Sequence, residues 1–297
     1  MSLIESALEK LRRAGDSTAV ALPTAPPVRV PSGAVGSKPT VLPPAPDYVH
    51  RQIVIDTKAL RNAGYLPDEG LERRFADHYR QIKRPLIEKA LTGAADARTI
   101  MVSSALPGDG KTFTSINLAM SIARERDISI LLLDADAPRA QVSQVFGLRG
   151  ERGLLDALRD ESVEAESLIL GTDVPGLEIL PAGRFVDSAT ELFASARMDQ
   201  IIARIAARNP RRLVLLDSAP LLVSSEARAL LRVPGQVVLV ARTDATPRHA
   251  LRDAVNLVDK NKLQGVILNY SPFHASGGYY YGYTEYSEGA GSTPEGV

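Results

Sequence analysis

The sequence predicts an α/β fold in which a mostly parallel sheet carries helices on both faces. Short apolar runs alternate with helical patterns from residue 98 to residue 269. Because strand–helix–strand repeats bring parallel strands side by side, this alternation predicts a layered sheet. The predicted strands are Arg98–Ser103, Ile128–Leu133, Leu177–Pro181, Arg212–Leu216, Gln236–Ala241 and Gly265–Asn269.

The intervening segments have helical periodicity. We predict helices at Phe113–Ala123, Ala189–Arg208 and Pro247–Asp259. A further helical pattern, Leu71–Leu91, contains Pro85, which we expect to interrupt it because proline lacks the N–H that a helix needs.

Both ends of the chain differ in composition from its centre. Ser2–Ala14 predicts a short amphipathic helix within residues 1–14, either a frayed terminus or a docking element. Residues 15–50 predict a disordered Pro/Ala-rich linker, since eight of the 20 prolines lie between Gly15 and Tyr48. We expect one folded domain at residues 51–272 and a flexible, Tyr-rich tail at 273–297.

The bulk composition excludes several classes of function. The formal net charge is zero, so nothing favours binding to nucleic acid or anionic lipid. Cysteine is absent, which excludes disulfides and thiol catalysis. We see neither a membrane-spanning apolar run nor a secretory signal. These observations predict a cytoplasmic protein that reaches a membrane only through a partner.

The segment Ala105–Thr112, which reads Ala-Leu-Pro-Gly-Asp-Gly-Lys-Thr, predicts a phosphate-binding loop. Its glycines allow backbone N–H groups to turn towards an anion, and the strand before it and the helix after it place phosphates at a helix N-terminus. Lys111 can reach the β- and γ-phosphates of ATP, and the Thr112 hydroxyl can bind Mg²⁺. The predicted ATP contacts are Pro107, Gly108, Asp109, Gly110, Lys111, Thr112 and Phe113.

Two apolar strands end in carboxylates. Asp134 and Asp136 follow one of them, and Asp217 follows another. Each Asp alone is explained equally well as a turn or helix-cap residue. In a parallel sheet, however, all three lie at the edge that carries the phosphate-binding loop, where they can organise Mg²⁺ through water molecules.

The loop and the acidic strand ends together resemble those of the bacterial tyrosine kinases, especially the exosortase-associated tyrosine autokinases of exopolysaccharide biosynthesis. The resemblance extends over about residues 77–269 and the tail. The sequence departs from the family pattern at two positions. In Asp136-Ala-Pro-Arg-Ala140 the family has Pro where this chain has Ala140, and the family also has Pro where this chain has Ala219. The motifs that carry it are Ser104–Thr112, Leu131–Asp136 and Leu213–Pro220, with support from Tyr79–Leu86, Pro181–Gly183 and Ala189–Phe193.

The resemblance implies a P-loop NTPase fold with a second Walker A-type motif, termed A′. It also implies the roles of particular residues. Lys111 and Asp134 would be catalytic, with Asp134 as the base for an incoming tyrosine hydroxyl, and Asp136 and Asp217 would organise Mg²⁺ beside Thr112. Asn269 would contact adenine, although a turn residue at a strand end explains it equally well.

The family assembles through a charged motif on a helix that precedes the nucleotide domain. The matching positions here are Asp77, Arg80 and Lys83, which share a helix face at a spacing of three. A solvated charged face is the alternative. The resemblance further implies a ring-shaped homo-oligomer and a transmembrane polysaccharide co-polymerase as activating partner.

Five of the nine tyrosines cluster near the C-terminus among glycines. Such exposed phenols suit a tail that enters the active site of a neighbouring subunit, and each added phosphate would contribute about −1.5 to −2 charges. A low-complexity tail without this role is the alternative. The predicted autophosphorylation sites are Tyr279, Tyr280, Tyr281, Tyr283 and Tyr286.

Three functions therefore compete. The first is an ATP-dependent protein-tyrosine autokinase. The second is a nucleotide-switched positioning ATPase of the type that partitions DNA, but such proteins carry an additional early loop lysine that Ala105–Pro107 do not supply. The third is a nucleotide-binding scaffold without catalysis, which the complete set of Lys111 and three aspartates argues against.

Overall fold

A computed structural model of the protein describes residue 48 and residues 50–271. All of them belong to the compact unit Pro43–Val297. The predicted N-terminal helix, nearly all of the predicted linker and the five tail tyrosines lie outside the described residues, so those predictions stay predictions.

The described residues form one sheet in the order β1-β4-β5-β3-β6-β2-β7-β8. All neighbouring pairs are parallel except β4 and β5. The predicted mostly parallel α/β fold is therefore confirmed. The strands are β1 (Gln52–Ile53), β2 (Thr99–Ser104), β3 (Ser129–Ala135), β4 (Leu170–Thr172), β5 (Leu177–Leu180), β6 (Arg212–Ser218), β7 (Gln236–Arg242) and β8 (Leu263–Asn269).

Helices fill the connections and cover the sheet. Short 3₁₀ turns occur at Glu69–Leu71, Ala95–Arg98 and Ala165–Leu168. The α-helices of the described residues are α1 (Thr57–Asn62), α2 (Glu72–Thr92), α3 (Lys111–Ile122), α4 (Gln141–Val145), α5 (Leu154–Arg159), α6 (Ala189–Ala194), α7 (Ala196–Ala207), α8 (Ser225–Leu230) and α9 (Arg248–Leu257).

The sheet separates two apolar layers, because successive side chains of a strand point to opposite faces. In β2, Met101 faces the layer that contains α7 and α9, whereas Ile100 and Val102 face the layer that contains α2 and α3. Every residue of β2 and β6 is buried. Such doubly covered strands read as continuous apolar runs, which is why the sequence revealed them.

Two predicted helices differ in the structure. Pro85 lies inside the continuous helix α2 and does not interrupt it. The predicted helix Ala189–Arg208 is instead two helices, because Ser195 adopts an extended conformation (φ −75°, ψ 153°) and its side chain accepts a hydrogen bond from the Met198 N–H. Serine is a favoured N-cap residue, so it begins a new helix here.

Among residues 50–271, no helix is both long enough and apolar enough to cross a bilayer.

Candidate nucleotide site

The turn between β2 and α3 has the backbone of an anion-binding loop. β2 ends at Ser104 and α3 begins at Lys111. Gly108 (φ +87°) and Gly110 (φ +93°) adopt left-handed conformations that side-chain-bearing residues rarely take. Gly110 is the N-cap of α3, so the unpaired N–H groups of this helix open onto the loop.

The side chain and carbonyl of Asp109 fasten the loop. Asp109 Oδ2 accepts from the Leu106 N–H (3.2 Å), and Oδ1 accepts from Thr246 Oγ1 (2.6 Å). Asn269 Nδ2 donates to the Asp109 carbonyl (3.1 Å). The loop is thus bonded to the segment after β7 and to the end of β8, which restricts its motion.

Lys111, the first residue of α3, forms an ion pair with Asp136. Its Nζ lies 3.3 Å from Asp136 Oδ2, and both side chains are almost fully buried. Asp136 Oδ2 has no hydrogen-bond partner among the described residues. A buried carboxylate oxygen without a hydrogen bond is costly, so this atom is suited to a further cationic or water ligand.

Asp217, at the end of β6, accepts two hydroxyl hydrogen bonds from α3. Thr112 Oγ1 donates to its Oδ2 and Ser115 Oγ donates to its Oδ1, each at 2.8 Å. Burial raises the pKa of Asp217 to about 6, against the opposing effect of Lys111. Because the Thr112 hydroxyl donates its hydrogen bond to Asp217, the lone pairs of the Thr112 oxygen remain free for a cation.

Asp134, at the end of β3, is fully buried and accepts from three donors. Its Oδ2 accepts from the Ser143 N–H and Oγ, each at 2.7 Å, and its Oδ1 accepts from the Asp136 N–H (3.2 Å). Burial and the nearby Asp217 carboxylate raise the pKa of Asp134 to about 7. A carboxyl that titrates near neutrality has the proton affinity expected of a general base.

Ala140, in the turn after Asp136, has a conformation that proline cannot adopt. The Asp136 carbonyl accepts from the Arg139 N–H (3.1 Å) and the Ala140 N–H (2.6 Å), and Ala140 has a φ of +44°. Proline is fixed near −65° and has no N–H. A proline at position 140, as in the family pattern, would therefore not fit the turn of this chain.

The donor set fits Mg²⁺ bound partly through water and phosphate. No group of three or more His, Asp or Glu side chains in the described part of the chain forms a closed metal cage. Mg²⁺ typically takes only one or two carboxylates and completes its shell with water and substrate phosphates. Asp136, Asp217 and the Thr112 hydroxyl match that requirement.

The other predicted ATP contacts lie around the loop. Pro107 and Gly108 are exposed at its rim. The Phe113 ring instead packs edge-on against Phe75 of α2, with ring centroids 6.0 Å apart. Asn269 lies against the loop at Asp109, and its predicted contact with adenine stays a prediction.

The three predicted assembly residues occupy different environments. Asp77 and Arg80 are exposed and pair with each other at 2.8 Å. Lys83 is buried, and its Nζ donates to the Ser121 carbonyl (2.6 Å) and pairs with Glu125 (2.7 Å) of the same chain. Asp77 and Arg80 are thus accessible to a partner, whereas Lys83 fastens α2 to the end of α3. The assembly role of all three residues stays a prediction.

Sequence reasoning missed three residues of the site. Ser115 follows Thr112 by three positions and thus shares its helix face, so this spacing was a usable signal. Ser143 and Thr246 bond to Asp134 and Asp109 only through the tertiary fold, and no local pattern reveals them.

A doubly wound parallel sheet with a phosphate-binding loop and acidic strand ends defines the class of P-loop nucleotide-binding proteins. A family profile described as AAA domain matches residues 97–265, more than half of the chain. The chain belongs to this AAA domain family.

Relatives of the chain include a bacterial tyrosine-protein kinase and a polysaccharide biosynthesis transport protein. Tyrosine-protein kinase Wzc of Salmonella typhimurium is 31% identical over 195 residues, which cover 65% of this chain and 26% of Wzc. The succinoglycan biosynthesis transport protein ExoP of Rhizobium meliloti is 27% identical over 235 residues, 77% of this chain and 29% of ExoP. The chain thus matches only about a quarter of the length of these proteins.

A solved structure shows the same relationship. The kinase domain of the Escherichia coli tyrosine kinase ETK is 27% identical, with a TM-score of 0.60, and the match covers 79% of this chain and 88% of that domain. The expected resemblance to the bacterial tyrosine kinases and the expected P-loop fold are confirmed.

Proposed function

We propose that the protein is an ATP-dependent protein-tyrosine autokinase. The main support is the buried cluster of Lys111, Asp136 and Asp217 under a phosphate-binding loop. This cluster has the charges that the terminal phosphates of ATP and a divalent cation require. The names of the relatives, tyrosine-protein kinases, support a tyrosine hydroxyl as the acceptor.

In the proposed reaction, a tyrosine oxygen attacks the γ-phosphorus of ATP. A new O–P bond forms as the bond between the γ-phosphorus and the β,γ-bridging oxygen breaks, and ADP leaves. The phenol proton goes to Asp134, whose pKa of about 7 suits this role. Asp134 is fully buried in the structure, so the site must open before a tyrosine hydroxyl can reach it.

Other residues of the chain bind and orient the substrate. The N–H groups of the loop and Lys111 would hold the phosphates, and Asp109 would keep the loop in its binding shape. Mg²⁺, held by Thr112, Asp136 and Asp217, would neutralise charge on the β- and γ-phosphates.

The acceptors that we propose are Tyr279, Tyr280, Tyr281, Tyr283 and Tyr286 of a neighbouring subunit. We also propose a homo-oligomeric ring and a transmembrane polysaccharide co-polymerase that holds the protein at the inner face of the cell membrane. The name of ExoP, a biosynthesis transport protein for succinoglycan, supports a role in exopolysaccharide polymerisation or export.

Incubation with Mg-ATP followed by detection of phosphotyrosine tests the active site. We expect Lys111→Met to reduce labelling to background, because the phosphates lose their buried cation. Lys58→Met, at an exposed position on α1, is the matched control and should label like the wild type. A wild-type protein that releases phosphate into water without forming phosphotyrosine would instead favour the positioning ATPase.

Replacement of the five tail tyrosines by Phe tests the acceptors. We expect most of the label to disappear while nucleotide binding is unchanged, since the residues that we propose to hold the nucleotide all precede the tail in sequence. Mass-spectrometric mapping of the wild type and the Lys111→Met variant identifies the modified residues. Full labelling of the five-Phe variant would disprove the tail assignment.

A further inference from the structure

Tyr270, directly after β8, is an exposed aromatic residue with an unusual backbone conformation. Its φ is +57°, in the left-handed region, and 58% of the residue is exposed. Bulky residues rarely adopt this conformation, and strained residues cluster at ligand sites. The conformation itself therefore indicates a position set by function.

The Tyr270 ring stacks on a cation. The Arg242 guanidinium carbon lies 4.3 Å from the ring centroid, within the range of a favourable cation–π contact. Arg242 is the last residue of β7 and pairs in register with Asn269 of β8. The pair thus consists of side chains from two adjacent strand ends.

Hydrogen bonds fix this pair relative to the phosphate-binding loop. The Arg242 N–H donates to Thr246 Oγ1 (2.8 Å), which donates to Asp109. The Thr243 N–H donates to the Asn269 carbonyl (2.9 Å). Tyr270 Cε2 lies 3.5 Å from the position that a Cβ would take on Gly110, so the ring borders the loop.

The strand order indicates the orientation in which a nucleotide would bind. Asp134 and Asp136 follow β3 and Asp217 follows β6, whereas Tyr270 follows β8. β2, which leads into the loop, lies between β6 and β7. A nucleotide whose terminal phosphates lie near Lys111 and the three carboxylates therefore extends its other end, the base, towards Tyr270.

We propose that the ring of Tyr270, stacked on Arg242, is a platform on which the nucleotide base packs. A base is flat and uncharged, and an aromatic face in water stacks with such a group favourably. The proposal rests on the proposed nucleotide site. It assigns to Tyr270 a face-on contact, separate from the predicted contact of Asn269.

Calorimetric titration of the full chain with Mg-ADP and with Mg-tripolyphosphate, which has phosphates but no base, tests the platform. Tyr270→Asn removes the ring and retains a residue that tolerates left-handed φ. We expect it to weaken ADP binding about tenfold and to change tripolyphosphate binding by less than about twofold. Arg242→Gln should weaken ADP binding by about threefold.

Two variants serve as controls. Tyr270→Phe keeps the aromatic face and should bind ADP like the wild type. Leu268→Ala changes another exposed side chain near the end of β8 and should also bind ADP like the wild type. Unchanged ADP binding by Tyr270→Asn, or equal weakening of both ligands, would overturn the platform. If the wild type binds neither ligand, the proposed nucleotide site itself fails, and the platform with it.

Discussion

At the level of single residues, the site is unusual in holding three buried carboxylates close together. Asp134, Asp136 and Asp217 are at most 1% exposed. Lys111 compensates part of this charge at Asp136, whereas Asp134 is hydrogen-bonded to Ser143 and to the Asp136 N–H and lies near the Asp217 carboxylate. The cost of burying that charge is the reason that the pKa of Asp134 is raised to about 7.

This raised pKa predicts a specific pH dependence of stability. Between its usual range and about 7, the folded protein keeps a proton on Asp134 that the unfolded chain releases, so this contribution to stability is lost as pH rises through about 7. Asp134→Asn cannot titrate. We therefore expect the stability of the wild type relative to Asp134→Asn to fall between pH 5 and pH 8, measured by urea unfolding without nucleotide.

Asp253→Asn, which changes an exposed carboxyl of α9, is the control for that measurement. Asp217 also has a raised pKa and is coupled to Asp134, so the pH-dependent difference reports the titration of this pair of carboxyls. A difference between wild type and Asp134→Asn that stays constant over this pH range would show that Asp134 keeps an ordinary pKa.

The candidate residues were largely predictable from the sequence, because each one belongs to a short motif. The Lys111–Asp136 and Thr112–Asp217 contacts follow from the rule that parallel strands end at one edge. The contacts of Asp109 with Thr246 and Asn269 join positions more than 130 residues apart in sequence, and nothing local specifies them. Their partners were visible only in the fold.

At the level of elements, the turn from β2 to α3 offers a matched pair of glycines. A Cβ on Gly108 would meet no atom within 4 Å, whereas one on Gly110 would lie 1.9 Å from Asn269 Nδ2. Both have positive φ, so the backbone cost of alanine is about 1 to 2 kcal/mol at either site. Only Gly110→Ala also displaces the Asn269 amide from the Asp109 carbonyl.

A double-mutant cycle measures this second contribution. We expect Gly110→Ala to destabilise the protein by about 1 kcal/mol more than Gly108→Ala, the typical value of one lost hydrogen bond. In an Asn269→Ala background that extra loss should vanish. Urea unfolding of the single variants and the Gly110→Ala/Asn269→Ala variant tests it, and strictly additive effects would refute the clash.

Element boundaries were less predictable than element types. The strands β2, β3, β6 and β7 were recovered because burial on both faces gives a continuous apolar run. The strands β1 and β4, with two and three residues, leave too short a pattern to detect. Pro85 was misjudged because the packing of α2, including buried Leu86 next to it, outweighs the local cost of proline.

At the level of the whole molecule, Lys83 and Arg80 separate intramolecular packing from assembly. Lys83→Met removes a charged hydrogen bond within the chain and should lower the free energy of unfolding by about 1 to 3 kcal/mol. We expect it to leave the oligomeric mass unchanged. Arg80→Glu, at an exposed position, should reduce the oligomeric mass and affect stability little.

Analytical ultracentrifugation and urea unfolding of the two variants distinguish these roles. Arg84→Glu, at another exposed position of α2, reports the effect of charge reversal as such. If the Lys83→Met variant is fully folded but no longer oligomeric, Lys83 contributes to assembly and the prediction is wrong.

The position where β8 ends also sets a length limit for the proposed transfer between subunits. Tyr270 borders the phosphate-binding loop, and Tyr279 and Tyr286 are the ninth and sixteenth residues after it. At about 3.4 Å per fully extended residue, these tethers reach about 30 Å and about 55 Å. Any assembly that phosphorylates both in trans must therefore place the neighbouring phosphate-binding loop within about 30 Å of this anchor point. If the neighbouring loop lies farther away than this, Tyr279 can reach only the nucleotide site of its own subunit.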